Sequence, residues 1–136
     1  MKRSKIFVKM FILIILACLL AVACENVTFS PLQGKWQLKT VEKEGKIITV
    51  DTVWYNFQSI SLFSLQVYDP QKDTYYAYEG VRTQEEDVVS IRMIAEWVVD
   101  NSDWILPSRS FTIEKVNKKQ LRLLSEEGYR YSFIKF

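Results

Sequence analysis

The sequence predicts an all-β protein: a small antiparallel up-and-down β-barrel of about eight strands, preceded by a cleaved signal peptide. Short runs of β-branched and aromatic residues alternate with polar turns from Leu32 onward, and no amphipathic helix interrupts them. The last run, Tyr129–Phe136, can pair with the first run and so remove both exposed sheet edges.

Eight runs have this character: Leu32–Val41, Lys46–Phe57, Ile60–Tyr68, Thr74–Thr83, Val88–Ile94, Phe111–Val116, Gln120–Leu124 and Tyr129–Phe136. In the first run, alternation places Trp36, Leu38 and Thr40 on one face. Asp51-Thr52 interrupts the second run as a bulge or a bend. Ala95–Ser110 is longer than a hairpin loop, so it either contains one helical turn or crosses between parts of the sheet; long connections of this kind are often functional.

The N-terminal segment indicates export. Four basic residues precede fourteen uncharged residues, Met10–Ala23. A membrane span needs about 20 apolar residues, whereas a signal peptide needs roughly 7–15, so residues 1–23 are read as a signal peptide. Ala21-Val22-Ala23-Cys24 resembles the lipobox of bacterial lipoproteins, with Cys24 as the acylated residue and palmitate among the expected acyl groups. Cys18 lies in a competing box, and an ordinary cut after Ala23 is the remaining alternative.

These boundaries divide the chain into a signal peptide (1–23), a lipidated cysteine with a short tether (24–31) and one barrel domain (32–136). Cys24 would be the only cysteine left after cleavage, so acylation would also remove a free thiol. The protein is predicted to lie in the bacterial cell envelope, where its lipid anchors it to a membrane, most plainly the outer membrane. The mature chain carries 14 − 16 = −2 charges, because the signal holds four of the eighteen basic residues and none of the sixteen acidic ones; this gives no case for nucleic-acid binding.

Gly34-Lys35-Trp36 opens the first predicted strand and resembles the Gly-x-Trp motif of lipocalins. The mature chain is similar to the lipocalin-like domains of small bacterial lipoproteins, most of which have no assigned function. The resemblance implies that Trp36 closes the barrel floor and that a basic residue of the last strands, here Arg130, packs over its ring. The Thr-Asp-Tyr motif of classical lipocalins is absent, and the shorter chain implies a cavity that is small or filled with side chains.

The composition argues against catalysis and against cofactors. The chain has no histidine and no free cysteine after lipidation, which excludes Ser-His, Cys-His and zinc constellations. Glu85-Glu86-Asp87 is read as a solvated turn. Asp100-Asn101-Ser102-Asp103 places oxygen ligands close together, but it lacks the glycine and distal glutamate of a calcium loop, so no metal is predicted there.

The aromatic residues are the candidates for ligand binding. One alternating set of a barrel's side chains points inward and can line an apolar pocket, although aromatics are also good strand formers and core fillers. The candidate lining residues are Trp54, Phe57, Tyr76, Tyr78, Trp97 and Trp104. Of these, Trp97 and Trp104 lie on the long connection and are expected at the barrel rim.

Three functions follow from these observations. The first is a membrane-tethered protein that binds a small apolar or amphipathic ligand. The second is a structural or protein-interaction lipoprotein of the envelope, with a filled barrel and a partner that the sequence does not identify. The third, a hydrolase with paired carboxylates, requires two carboxylates that converge in one pocket.

Overall fold

The computed structural model describes residues 5–15, 31–94, 103–104 and 107–136. The chain divides into two compact units, Met1–Ser30 and Pro31–Phe136. In the first unit, residues 5–15 form an α-helix with exposed side chains. Within the described ranges, no helix is both long enough and apolar enough to cross a bilayer. Cys24 and its alternative Cys18 lie outside the described residues, so the lipidation site stays a prediction.

The described part of the second unit contains nine β-strands: β1 (Gly34–Lys43), β2 (Lys46–Thr49), β3 (Val53–Phe57), β4 (Leu62–Asp69), β5 (Thr74–Glu85), β6 (Val88–Met93), β7 (Ser108–Val116), β8 (Gln120–Ser125) and β9 (Arg130–Lys135). Strands β3 to β9 follow one another around an antiparallel sheet, and β1 closes it by pairing with both β3 and β9. The result is a closed eight-stranded barrel with β2 as an additional strand. This confirms the predicted fold class.

The second predicted strand is two strands in the structure. β2 pairs with the second half of β1 (Thr40–Lys43), whereas β3 pairs with its first half (Gly34–Gln37). The chain leaves the sheet between them, at the bend predicted from Asp51-Thr52. β2 therefore forms a small hairpin with β1, and all four of its residues are exposed.

A β-bulge in β1 changes which residues face the core. The pairing with β9 shifts between Leu38 and Thr40, so that Leu38 lies opposite Phe133 and Val41 lies opposite Tyr131. An extra residue at a bulge reverses the alternation beyond it. Val41, only 5% exposed, takes the inward position, and the prediction that Thr40 shares a face with Trp36 and Leu38 is wrong.

Trp36 lies at the end of the barrel where β1 begins and β9 ends. Its ring is fully buried, and its Nε1 donates a hydrogen bond to the Leu32 carbonyl oxygen at 2.8 Å. The Nζ atom of Lys135 lies 4.4 Å from the ring centroid and donates to the Gln33 carbonyl oxygen at 2.8 Å. Gly34 has a φ of +128°, a conformation that residues with a Cβ rarely adopt, and a Cβ there would also force the Lys135 Nζ atom, 2.0 Å away, to shift.

Arg130 is not the cation over Trp36, so that prediction is wrong. β9 runs antiparallel to β1, and its register sets Lys135 opposite Trp36 but Arg130 opposite Glu42, at the other end of β1. The Arg130 guanidinium donates from Nε to Glu114 at 2.6 Å and from Nη1 to Glu42 at 3.4 Å. It therefore joins β9 to β7 and β1 on the outer wall of the barrel.

Candidate functional site

A cleft of about 460 Å³ opens at the end of the barrel opposite Trp36, between β1, the β2–β3 bend and one residue of the long connection. Its lining residues are Leu38, Val41, Lys43, Ile48, Thr49, Val50, Asp51, Thr52, Val53 and Asp103. Half of them are aliphatic, and the rest are polar or charged. The cleft thus offers an apolar wall with polar groups beside it, and its volume lies within the range of small-molecule sites.

The local structure of two strands builds the apolar wall. The bulge in β1 turns Val41 inward beside Leu38, and alternation in β2 directs Ile48 toward the cleft but Ile47 toward the outer wall. Val53 begins β3 immediately after the bend and faces the same space. A strand without the bulge and the bend would not present these side chains together.

Below the cleft, the barrel interior is filled with aromatic rings. Trp104 is 1% exposed, and its ring centroid lies 6.0 Å from those of Tyr55 and Phe63 and 6.4 Å from that of Phe111. Its Nε1 donates a hydrogen bond to the Tyr55 hydroxyl at 3.0 Å. Trp104 therefore occupies the barrel interior rather than the rim.

A buried arginine on β7 lies between the aromatic interior and the cleft. The side chain of Arg109 is 9% exposed, and its Nη1 lies 3.2 Å from Asp103 Oδ1. Nη2 donates to the Tyr131 hydroxyl at 2.8 Å, and that hydroxyl also donates to Asp103 Oδ2. The guanidinium carbon lies 4.8 to 5.2 Å from three ring centroids, those of Trp104, Phe111 and Tyr131.

The electrostatics of this cluster favour one charge state. Burial raises the pKa of the Tyr131 phenol, and its bond to the Asp103 carboxylate raises that pKa further. Burial alone would lower the pKa of the Arg109 guanidinium, but the phenols and the carboxylate around it raise that pKa instead. The cluster therefore contains a neutral phenol and a cation. Two carboxylates lie near that cation: Asp103 Oδ1 is 3.2 Å from Nη1, and Glu127 Oε2 is 3.9 Å from Nη2.

The candidate lining residues occupy different parts of the barrel. Phe57 is fully buried and packs against Phe63 at 5.2 Å between ring centroids. Tyr76 and Tyr78 lie opposite Val67 and Leu65 on β4, which places them on the inward face, half-buried. Trp97 lies outside the described residues. Among those that are described, none of the predicted candidates lines the cleft.

Trp54 lies on the outer wall of the barrel, because its neighbours Val53 and Tyr55 take the inward positions of β3. Its ring lies 5.9 Å from that of Tyr75 and 6.1 Å from that of Phe136. Both of these partners are 68% exposed. Trp54 is thus part of an outer-wall aromatic cluster and not of an interior pocket.

Sequence reasoning missed Arg109 and Tyr131 as site residues, and it placed Asp103 only in a metal-binding loop that was rejected. The strand that carries Arg109 was predicted to begin at Phe111, whereas β7 begins at Ser108. Extending the alternation back from Phe111 would have put Arg109 on the inward face. An arginine at an inward position is the signal that could have revealed this cluster.

The sequence and the structure of this chain are similar to those of lipocalin-like proteins. The model of a family of lipocalin-like domains matches residues 17–136. A solved lipocalin-like protein from Bacteroides uniformis ATCC 8492 is 29% identical with a TM-score of 0.70, over 79% of this chain and 100% of that one. A solved uncharacterized protein from Bacteroides eggerthii DSM 20697 is 26% identical with a TM-score of 0.64, over 76% and 98% of the two chains. No functionally curated protein matches the sequence.

Proposed function

This chain belongs to the family of lipocalin-like domains, and we propose that it is a lipid-anchored envelope protein that binds a small apolar or amphipathic ligand at the barrel mouth. The observation that supports this role is the cleft of about 460 Å³. The aromatic interior below it is packed, so the volume that this structure leaves open to a ligand is the mouth.

The chemistry of the cleft suggests an amphipathic ligand. Leu38, Val41 and Val53 offer it a buried aliphatic wall, and Ile48 and Val50 extend that wall toward solvent. Each aliphatic side chain that a ligand covers contributes on the order of 1 kcal/mol through the burial of apolar area. Lys43, Asp51 and Asp103 supply the polar groups that fix a ligand's orientation.

The proposed role is binding without catalysis, held at a membrane by acylated Cys24. Its support is compositional: the chain has no histidine, and the N-terminal segment has the basic and apolar pattern of a signal peptide followed by a lipobox-like sequence. Two or three acyl chains, at about 0.8 kcal/mol per buried CH₂, would hold such a protein stably on its membrane.

A second candidate function is protein interaction within the envelope. The outer-wall cluster of Trp54, Tyr75 and Phe136 favours it, because exposed aromatic clusters are common at protein interfaces. In that case the mouth would remain empty, and the outer wall would carry the function.

Native mass spectrometry separates the two functions. The Pro31–Phe136 unit is a suitable sample for this measurement, because it contains all nine described strands and the core. The solved Bacteroides uniformis neighbour, whose whole chain matches 79% of this one, has a comparable length. After incubation with an envelope lipid extract, we expect an added mass that is lost on denaturation. A clean apo mass would contradict the binding role.

Two neighbouring residues of β2 provide a matched pair of variants. Ile48 lines the cleft, whereas Ile47 faces the outer wall, and both are exposed. Ile48→Asn should weaken ligand binding about tenfold, because the ligand would lose one aliphatic contact of about 1.4 kcal/mol. Ile47→Asn should leave binding unchanged. Equal losses in both variants would mean that the bound molecule lies elsewhere.

A further inference from the structure

The Arg109 cluster contains two groups of residues with different origins. Arg109 and Tyr131 lie on β7 and β9, and Tyr55 lies on β3, so the sheet fixes all three. Asp103 and Trp104 belong to the connection between β6 and β7, and their side chains contact groups that the strands carry. The strands therefore form a receiving site, and the connection supplies what fills it.

The receiving site has the chemistry of a carboxylate pocket. A buried guanidinium and a phenol converge on the two oxygens of Asp103: Nη1 lies 3.2 Å from Oδ1, and the Tyr131 hydroxyl donates to Oδ2. Bonds from a guanidinium to a carboxylate are among the strongest that a protein offers to this group. Next to the carboxylate, the Trp104 ring fills an apolar space between Tyr55 and Phe111.

We propose that Asp103 and Trp104 are the barrel's own occupant of a site for an amphiphile with one carboxylate, and that such a ligand, entering from the mouth cleft, exchanges with them. A carboxylate beside an apolar ring reproduces the two halves of that amphiphile, polar head and apolar body. The inference deepens the proposed binding function and rests on it. Asp103 lies at the point of exchange, since it lines the cleft with 31% of its side chain exposed while it also bonds Arg109.

The exchange favours an anionic ligand because it keeps a carboxylate next to the buried Arg109. When a ligand carboxylate replaces the Asp103 carboxylate, the buried Arg109 keeps an anionic partner, and Asp103 gains hydration at the cleft. A neutral ligand in the same place would leave a guanidinium that is 9% exposed with only the more distant and more exposed Glu127 carboxylate, whose Oε2 lies 3.9 Å from Nη2, and this is unfavourable. The site therefore selects a carboxylate over an alcohol of the same chain length.

The internal occupant also sets the apparent affinity. When a resident group competes with a ligand, the apparent dissociation constant equals the intrinsic dissociation constant divided by the fraction of molecules in which the site is vacant. Asp103→Asn removes the competing charge and leaves the cation in place. The affinity for a carboxylate ligand should therefore rise about tenfold or more, the equivalent of one charge-assisted hydrogen bond, while the affinity for the alcohol should not rise.

The test is calorimetric titration of the Pro31–Phe136 unit with dodecanoate and with dodecanol. The wild type should prefer dodecanoate, and Asp103→Asn should increase that preference. Glu44→Gln is the matched control, because it also removes one carboxylate, but Glu44 is exposed in the turn between β1 and β2 and does not line the cleft. Weaker dodecanoate binding by Asp103→Asn, or an equal gain for dodecanol, would overturn the exchange.

A second variant covers the case in which Asp103→Asn does not fold. Trp104→Phe removes the indole N–H that bonds Tyr55 but retains an aromatic ring and all the receiving groups. It should raise the affinities for both ligands several-fold, because only the occupant is weakened. If both ligands bind and depend on Ile48, yet neither variant changes their affinities, the mouth site stands and the exchange is wrong. If neither ligand binds any form, the exchange is wrong, and the mass measurement with the lipid extract decides the binding role separately.

Discussion

Trp104 and Trp54 provide a direct test of where the core of this barrel lies. Both are largely buried, at 1% and 8% exposure, but Trp104 lies inside the barrel and Trp54 on its outer wall. Replacing a tryptophan that is enclosed on all sides by alanine costs about 3–5 kcal/mol, because its contacts are lost and the rigid cavity cannot collapse. The rings that cover Trp54 are those of Tyr75 and Phe136, both 68% exposed and free to move into the space. Trp54→Ala should therefore cost only about 1–2 kcal/mol.

Urea unfolding of the Pro31–Phe136 unit, followed by circular dichroism, measures the difference. With a slope of about 1–2 kcal/mol per molar urea, Trp104→Ala should lower the midpoint by about 2–3 M and Trp54→Ala by about 1 M. Circular dichroism is preferable to fluorescence because each variant removes one of the four tryptophans. A Trp54→Ala variant that loses as much stability as Trp104→Ala would refute the assignment of Trp104 to a closed interior.

Two further predictions concern the barrel floor and the anchor. In double-mutant cycles with Trp36→Phe, Lys135→Met should show a coupling free energy of about 0.5–1 kcal/mol and Arg130→Met none, since Lys135 lies over the ring and Arg130 does not. Coupling of Trp36 to Arg130, measured by urea unfolding, would contradict the register of β9. In cells that make the full chain, Cys24→Ser should abolish labelling with a palmitate analogue and release the protein from the membrane fraction, whereas Cys18→Ser should retain both; the reverse pattern would move the lipidation site to Cys18.

The fold was largely predictable because barrel strands carry local signals. Alternation and turn residues marked seven of the eight runs at nearly their observed positions, as β4 and β8 illustrate. The errors came at irregular points. The bulge in β1 and the separation of β2 from β3 depend on how the neighbouring strands curve and pair, and a single strand's sequence does not contain that information.

The candidate site was predicted less well than the fold. Composition identified many aromatic residues but could not say which ones face inward, since Trp54 and Tyr55 are consecutive aromatics with opposite directions. Half of the residues that line the cleft are aliphatic side chains of β1, β2, β3 and the β2–β3 bend, and no sequence motif marks such a set.

The β-barrel class and the Gly34–Trp36 opening of the first strand could be predicted from the sequence, because both depend on residue type and short-range spacing. Three contacts could not be predicted in this way: Lys135 over Trp36, Trp104 inside the barrel, and Arg109 with Asp103 beneath the mouth cleft. Each of these contacts joins residues from different strands or from a connection and a strand. Their distances depend on closure of the sheet and on strand register, which are set by the packing of the whole barrel.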